Sequence, residues 1–154
     1  MKSRNNLDDF VSMHCFKAAI AGMEDILGVE GAASAMISAG RKRGGDVAKA
    51  AGLVGTNPAA ESLGPVLDGA LGLNGTRLCQ VLEVSKTADD GFLVKTRETV
   101  CTSAEPAGSQ RKCTYTLGAV MGFLESVYGT TLRGSHVATV LNGSSTDDLQ
   151  FVRV

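Results

Sequence analysis
Between residues 13 and 27 the apolar side chains Met13, Phe16, Ile20, Met23 and Leu27 recur three and four apart, the spacing that gathers them on one face of a helix. Asp8 and Asp9 stand near the start, where a helix dipole favours acids, and Gly28 is the expected stop. From Gly31 to Ala51 a second stripe follows, Ala33, Met36, Ile37, Gly40, Gly44, Val47, Ala48 and Ala51, made almost wholly of small residues. A helix with such a face packs closely on a neighbour or lines a gap. Asn57 before Pro58 reads as an N-cap with proline at the first helical position. It would open a third helix through Leu63, Val66, Leu67 and Ala70, distorted at Gly64-Pro65 and ended by Gly72-Leu73-Asn74-Gly75.

From Arg77 the pattern changes. Leu78 to Lys86 and Phe92 to Cys101 are rich in Val, Leu and Thr, with Asp89-Asp90-Gly91 between them, and predict a hairpin. Residues 102–112 are polar, contain Pro106 and Gly108 and show no period, so they predict a surface loop. Cys113 to Thr116 reads as a short strand or a helix entry, Leu117 to Tyr128 as a helix, and Thr131 to Leu141 and Leu149 to Val154 as closing strands. Helices and strands segregate instead of alternating. That predicts an α+β fold, N-terminal helices packed on an antiparallel sheet, and argues against a parallel nucleotide-binding sheet. At 154 residues, with no internal repeat, the chain is expected to form a single domain over residues 1–154.

Composition narrows the function classes. With 15 Lys and Arg against 16 Asp and Glu there is no field to draw the chain to nucleic acid or an anionic membrane. Nineteen glycines, no tryptophan and 5% aromatics predict an interior filled by close backbone approach. No run reaches the roughly 18 to 20 apolar residues of a membrane span, and the polar start resembles no signal peptide, so a cytoplasmic protein without integral membrane insertion is expected. Cys15, Cys79, Cys101 and Cys113 form no CxxC pair and are expected to be reduced and mostly buried.

Catalytic chemistry finds little support. His14 and His136 lie far apart and neither has a ligand partner at a helical spacing, so no metal is expected. His14 beside Cys15 suggests a nucleophile pair only until direction is considered, since neighbouring helix positions point apart. Gly40-Arg41-Lys42-Arg43-Gly44-Gly45 lacks phosphate-loop spacing; its cations suit an acidic head group or a solvated face. Asp89-Asp90 and Asp147-Asp148 fall in predicted turns and read as structural. Cys15 is the most plausible reactive or acylatable thiol, against inert burial. No catalytic residue and no cofactor motif emerges. Gly118-Ala119-Val120-Met121-Gly122 is a GxxxG that lets one backbone lie against another.

The segment Cys113-Thr114-Tyr115-Thr116-Leu117-Gly118-Ala119-Val120-Met121-Gly122-Phe123-Leu124, followed by Gly129 and the closing strands, resembles the C-terminal signature of the V4R (4-vinyl reductase-like) domains, which share a fold with the Bet3-type subunits of the TRAPP vesicle-tethering complex. Gly72 to Arg77 is similar to that family's glycine turn before its first long strand. The resemblance implies helices over an antiparallel sheet, homodimerisation through helices, and a hydrophobic cavity for an acyl chain or another small apolar ligand. Some members are tied to chlorophyll-type tetrapyrrole metabolism. Many carry two cysteines near the C-terminus that could hold a metal; residues 135–151 here contain none.

The expected function is therefore non-catalytic binding or sensing of a small apolar molecule, a tetrapyrrole or acyl chain among the options. The expected ligand-binding residues are Met13, Phe16, Ile20, Met23, Met36, Tyr115 and Met121, although the same stripes would serve equally as core. The alternative is an assembly or scaffold protein of a larger complex acting through a helix-mediated homodimer, in photosynthetic or chlorophyll-related metabolism on the family's pattern.

Overall fold
The computed structural model describes residues 4–154. The first helix, α1, runs Met13–Ala50 and is opened by Ser12, whose hydroxyl accepts from the His14 N–H at 3.2 Å. Asp8 and Asp9 lie in a turn before this cap, so the first turn of α1 carries no acid. The helix breaks at Gly28, where φ 73° and ψ 165° are open to glycine and strained for other residues. Ile20 and Met36 line one cavity while Met13 and Arg43 line another. These pairs are nearly symmetric about Gly28, so the two arms of α1 fold back on each other there.

The third predicted helix begins later than its proline suggested. Asn57 adopts φ 49° and its side chain donates to Gly55 O, so it turns the chain and caps nothing. A short 3₁₀ turn, Ala60–Ser62, leads into α2, Leu63–Leu71, and Pro65 sits in its first turn, where the missing N–H has no partner to lose. Gly72 caps it as expected.

Strands β1, Gln80–Lys86, and β2, Phe92–Arg97, form the hairpin; α3, Thr114–Tyr128, follows, and β3, Leu132–Ala138, and β4, Asp147–Arg153, close the chain. All pairings are antiparallel in the order β1-β2-β4-β3. In β2 and β4 every second residue is buried, which turns Phe92, Val94, Leu149 and Phe151 toward the helices. Phe123 from α3 completes the largest buried side chains.

The small-residue stripe of α1 meets the GxxxG of α3. A Cβ at Gly118 would fall within 3.0 Å of the backbone of Ile37, and one at Gly122 within 3.0 Å of that of Arg41. The contact is reciprocal, since Gly40 and Gly44 lie against the backbone at Tyr115 and Ala119. Residues 102–112 form the predicted loop, pinned to α1 by ion pairs of Lys17 with Glu105 at 2.7 Å and of Arg111 with Glu24 at 2.6 Å. Among the described residues no helix is long and apolar enough to cross a membrane.

Candidate functional site
The cavity that Met13 and Arg43 line has a volume of about 540 Å³. Its walls come from separate parts of the chain: Phe10 and Val11 before α1, Met13 and Phe16 on its first arm, Arg43 on its second, Leu71 at the end of α2, residues 75–78 of the glycine turn, Val100, and Tyr115 on α3. Phe16 meets Tyr115 edge to face with ring centroids 5.3 Å apart, which fixes both rings on one wall. The Arg77 guanidinium stands 4.9 Å from the centroid of the Phe10 ring, and Asp9 completes the lining. The volume lies in the range of small-molecule sites, and the lining is mostly apolar with a few polar groups, as such sites require.

A second cavity of about 280 Å³ lies between the arms of α1 and the 102–112 loop. Ile20, Ala32, Ala33 and Met36 form its apolar side, and the Glu24–Arg111 pair stands on its rim.

Of the residues expected from sequence to bind a ligand, Met13, Phe16 and Tyr115 therefore share the larger cavity and Ile20 and Met36 the smaller. The break at Gly28 divides the stripe between two spaces. Met121 is buried in the core, and half-buried Met23 lines neither cavity. Arg43, Arg77 and the Phe10-Val11 pair belong to the larger cavity without having been singled out for it. Arg43 lay inside a glycine-rich run that lacked a motif, and only the fold of α1 brings it opposite Met13.

A buried polar cluster went unseen in the sequence. Asp147, expected in a turn, is the first residue of β4, 0% exposed, and accepts from both strands and loops. Its Oδ1 accepts from the Val140 N–H at 3.2 Å and faces His136 Nε2 at 3.2 Å. Its Oδ2 accepts from the hydroxyls of Thr99 at 3.0 Å and Thr102 at 2.8 Å. Burial alone would raise the Asp147 pKa, but the bonds from His136 and the threonine hydroxyls outweigh it and hold the carboxyl at about 2. His136 Nδ1 accepts from the Cys113 N–H at 3.4 Å, which assigns the ring proton to Nε2.

Cys113, His136 and Asp147 are the one group of potential metal ligands among the described residues, their donor atoms all within 4.8 Å of one another. The fit fails on two counts. There are three donors where a closed structural zinc site takes four, and the carboxylate and the ring are already engaged by protein hydrogen bonds. The thiol of Cys113 bonds with Thr99 and Cys101, and the Cys101 contact together with burial pushes its pKa far up. The arrangement is a closed hydrogen-bonded network that ties β4 to β3 and to residues 99–102. With its thiol wholly buried, it offers no nucleophile to a substrate.

No protein-family model matches the chain, and no curated protein sequence matches it significantly. Among solved structures, the phenol-responsive sensory domain of the transcription activator PoxR, with phenol, is similar over 92% of this chain and 74% of that chain, at 16% identity and a TM-score of 0.71. Subunit 3 of a trafficking protein particle complex from Naegleria fowleri, covalently bound to palmitic acid, is similar over 92% of both chains, at 14% identity and a TM-score of 0.62. At these identities the likeness shows the fold alone.

Proposed function
We propose that this chain binds a small apolar or amphipathic molecule in the larger cavity and acts as a binding or sensory protein without catalytic residues of its own. The cavity of about 540 Å³ is the observation that carries the reading. It is walled by both arms of α1, the end of α2 and the entry of α3, so an occupant would touch the elements whose mutual packing defines the helical layer. Of two neighbours in fold space, one holds phenol and the other covalently bound palmitic acid, and both support an apolar occupant. Mass spectrometry of a solvent extract of the purified protein tests it. A stoichiometric small molecule is expected, displaced when Phe16 is replaced by arginine. A clean extract, together with no binding of apolar probes by the extracted protein, would refute the reading.

A second reading has its own observation. Ile26, Leu27 and Val29 flank the Gly28 bend and are 84%, 54% and 70% exposed, an apolar tip that water would not select. It supports a contact face, and with it a homodimer.

A further inference from the structure
We infer that the occupant of the larger cavity carries an anionic head group, a carboxylate on an apolar body, and that Arg43 is the residue that reads it; this rests on the reading that the cavity holds a small molecule. Among the described residues the half-buried cations Lys17, Lys95 and Arg111 each face a carboxylate within ion-pair distance. Arg43 is half-buried too, yet it has neither an ion pair nor a hydrogen bond among the described residues. A guanidinium held against apolar walls loses part of its hydration, and an arginine so placed gains most from a planar anion that accepts two of its N–H groups.

The rest of the lining agrees in sign. The Tyr115 hydroxyl, with no hydrogen-bond partner among the described residues, adds a donor, and Arg77 adds a second cation over the Phe10 ring. Asp9 is the one acid of the lining, and it belongs to the exposed segment before α1. Two cations and a phenol against one carboxylate favour an anion. The apolar remainder, Phe10, Val11, Met13, Phe16, Leu71 and Leu78, favours an alkyl or aryl body. Neutral phenols and alcohols satisfy the walls and leave Arg43 unpaired.

The test compares decanoate with decanol, and 3-phenylpropionate with 3-phenylpropanol, by calorimetry on the full chain freed of any copurified molecule. Each acid should bind roughly tenfold or more tightly than its alcohol, the size expected of a charge-assisted hydrogen bond. Arg43→Met keeps the stem and removes the charge, so a purely packing role for Arg43 leaves the pair ratio unchanged, whereas head-group recognition brings it to about one. Arg43→Lys should restore part of the preference, and Lys42→Met, one residue away on an exposed position, should leave it intact. Equal binding of acid and alcohol by the wild type would overturn the head-group assignment while leaving the binding function standing. Failure of all four compounds to bind would overturn both.

Discussion

Substitution of Gly122 tests the packing on which the helical layer depends. A Cβ at this position would meet the backbone of Arg41, with C and Cα at 2.7 and 2.8 Å and the carbonyl oxygen closer still. Those atoms belong to α1 and cannot swing aside as a side chain can. Even alanine therefore has to push α1 and α3 apart by about half an ångström or more, opening the seam where Gly40, Gly44 and Gly118 are equally tight. Overpacking of this kind costs roughly 1 to 3 kcal/mol. Helix propensity opposes it, favouring alanine over glycine by up to about 1 kcal/mol. For Gly122→Ala the net is a loss of about 1 to 2 kcal/mol, and Gly122→Leu, with three more carbons to place, should reach about 3 kcal/mol.

Gly45 supplies the control. It lies next to Gly44 on the same arm, but a Cβ there meets only the Ser126 Oγ at 3.5 Å, an ordinary contact. With propensity alone in play, Gly45→Ala should stabilise by up to about 1 kcal/mol. Urea melts of the two alanine variants should thus move in opposite directions, and a thermal scan should separate Gly122→Leu from wild type by roughly 6 to 12 °C for a chain of this size. If Gly122→Ala melts at or above the wild-type midpoint while Gly45→Ala rises, the helices do not touch at Gly122 and the argument is wrong.

Four further outcomes follow from the buried groups and the exposed tip. Because the Asp147 carboxyl is held at about 2, below its ordinary value of 3.8, its contribution to stability is complete above about pH 4 and is lost as pH falls toward 2; the loss is on the order of 2 kcal/mol, and urea melts should show less of it in Asp147→Asn. Asp147→Ala, which strips acceptors from Thr99, Thr102, His136 and the Val140 N–H, should cost about 3 kcal/mol or more in the same melts at pH 7. Of the four thiols only Cys15 is exposed, and burial pushes Cys79 up to about 12, so a thiol reagent should titrate one cysteine in the native protein and four in denaturant; rapid native reaction of two or more would contradict the burial of Cys79, Cys101 and Cys113. Light scattering at micromolar concentration should give twice the 15.9 kDa chain mass, reverting to one chain in Ile26→Asp; a monomeric wild type would refute the contact face.

What could be read from the chain was what is local and periodic. The stop at Gly28, the hairpin at Asp89-Asp90-Gly91, the polar loop and the four strands in order are all recorded in three-, four- or two-residue spacings and in turn residues, and they suffice for the α+β class. Asn57-Pro58 misled because the same dipeptide serves a helix cap and a tight turn, and the choice depends on Gly55, whose N–H bonds to Ser126 O on α3. The stripe from Met13 to Met23 is shared between two spaces, and no spacing in the chain reports how far it turns at a glycine with positive φ.

The polar cluster shows why sequence reading stopped where it did. His136 and Asp147 are 11 residues apart, and a ligand search by helical spacing passes over them. They meet because β3 and β4 pair antiparallel and the register shifts between His136 and Ala138, a bulge that no residue type announces. Thr99 arrives from the end of the hairpin and Cys113 from the N-terminal edge of α3, whose position depends on the Gly40, Gly44, Gly118 and Gly122 seam. The cluster and the larger cavity thus share one cause. The glycine seam sets α3 against α1, and α3 then carries Cys113 at its N-terminal edge into the sheet-side network while Tyr115, two residues on, turns toward Phe16 and the cavity. A shift of α3 along that seam would move both.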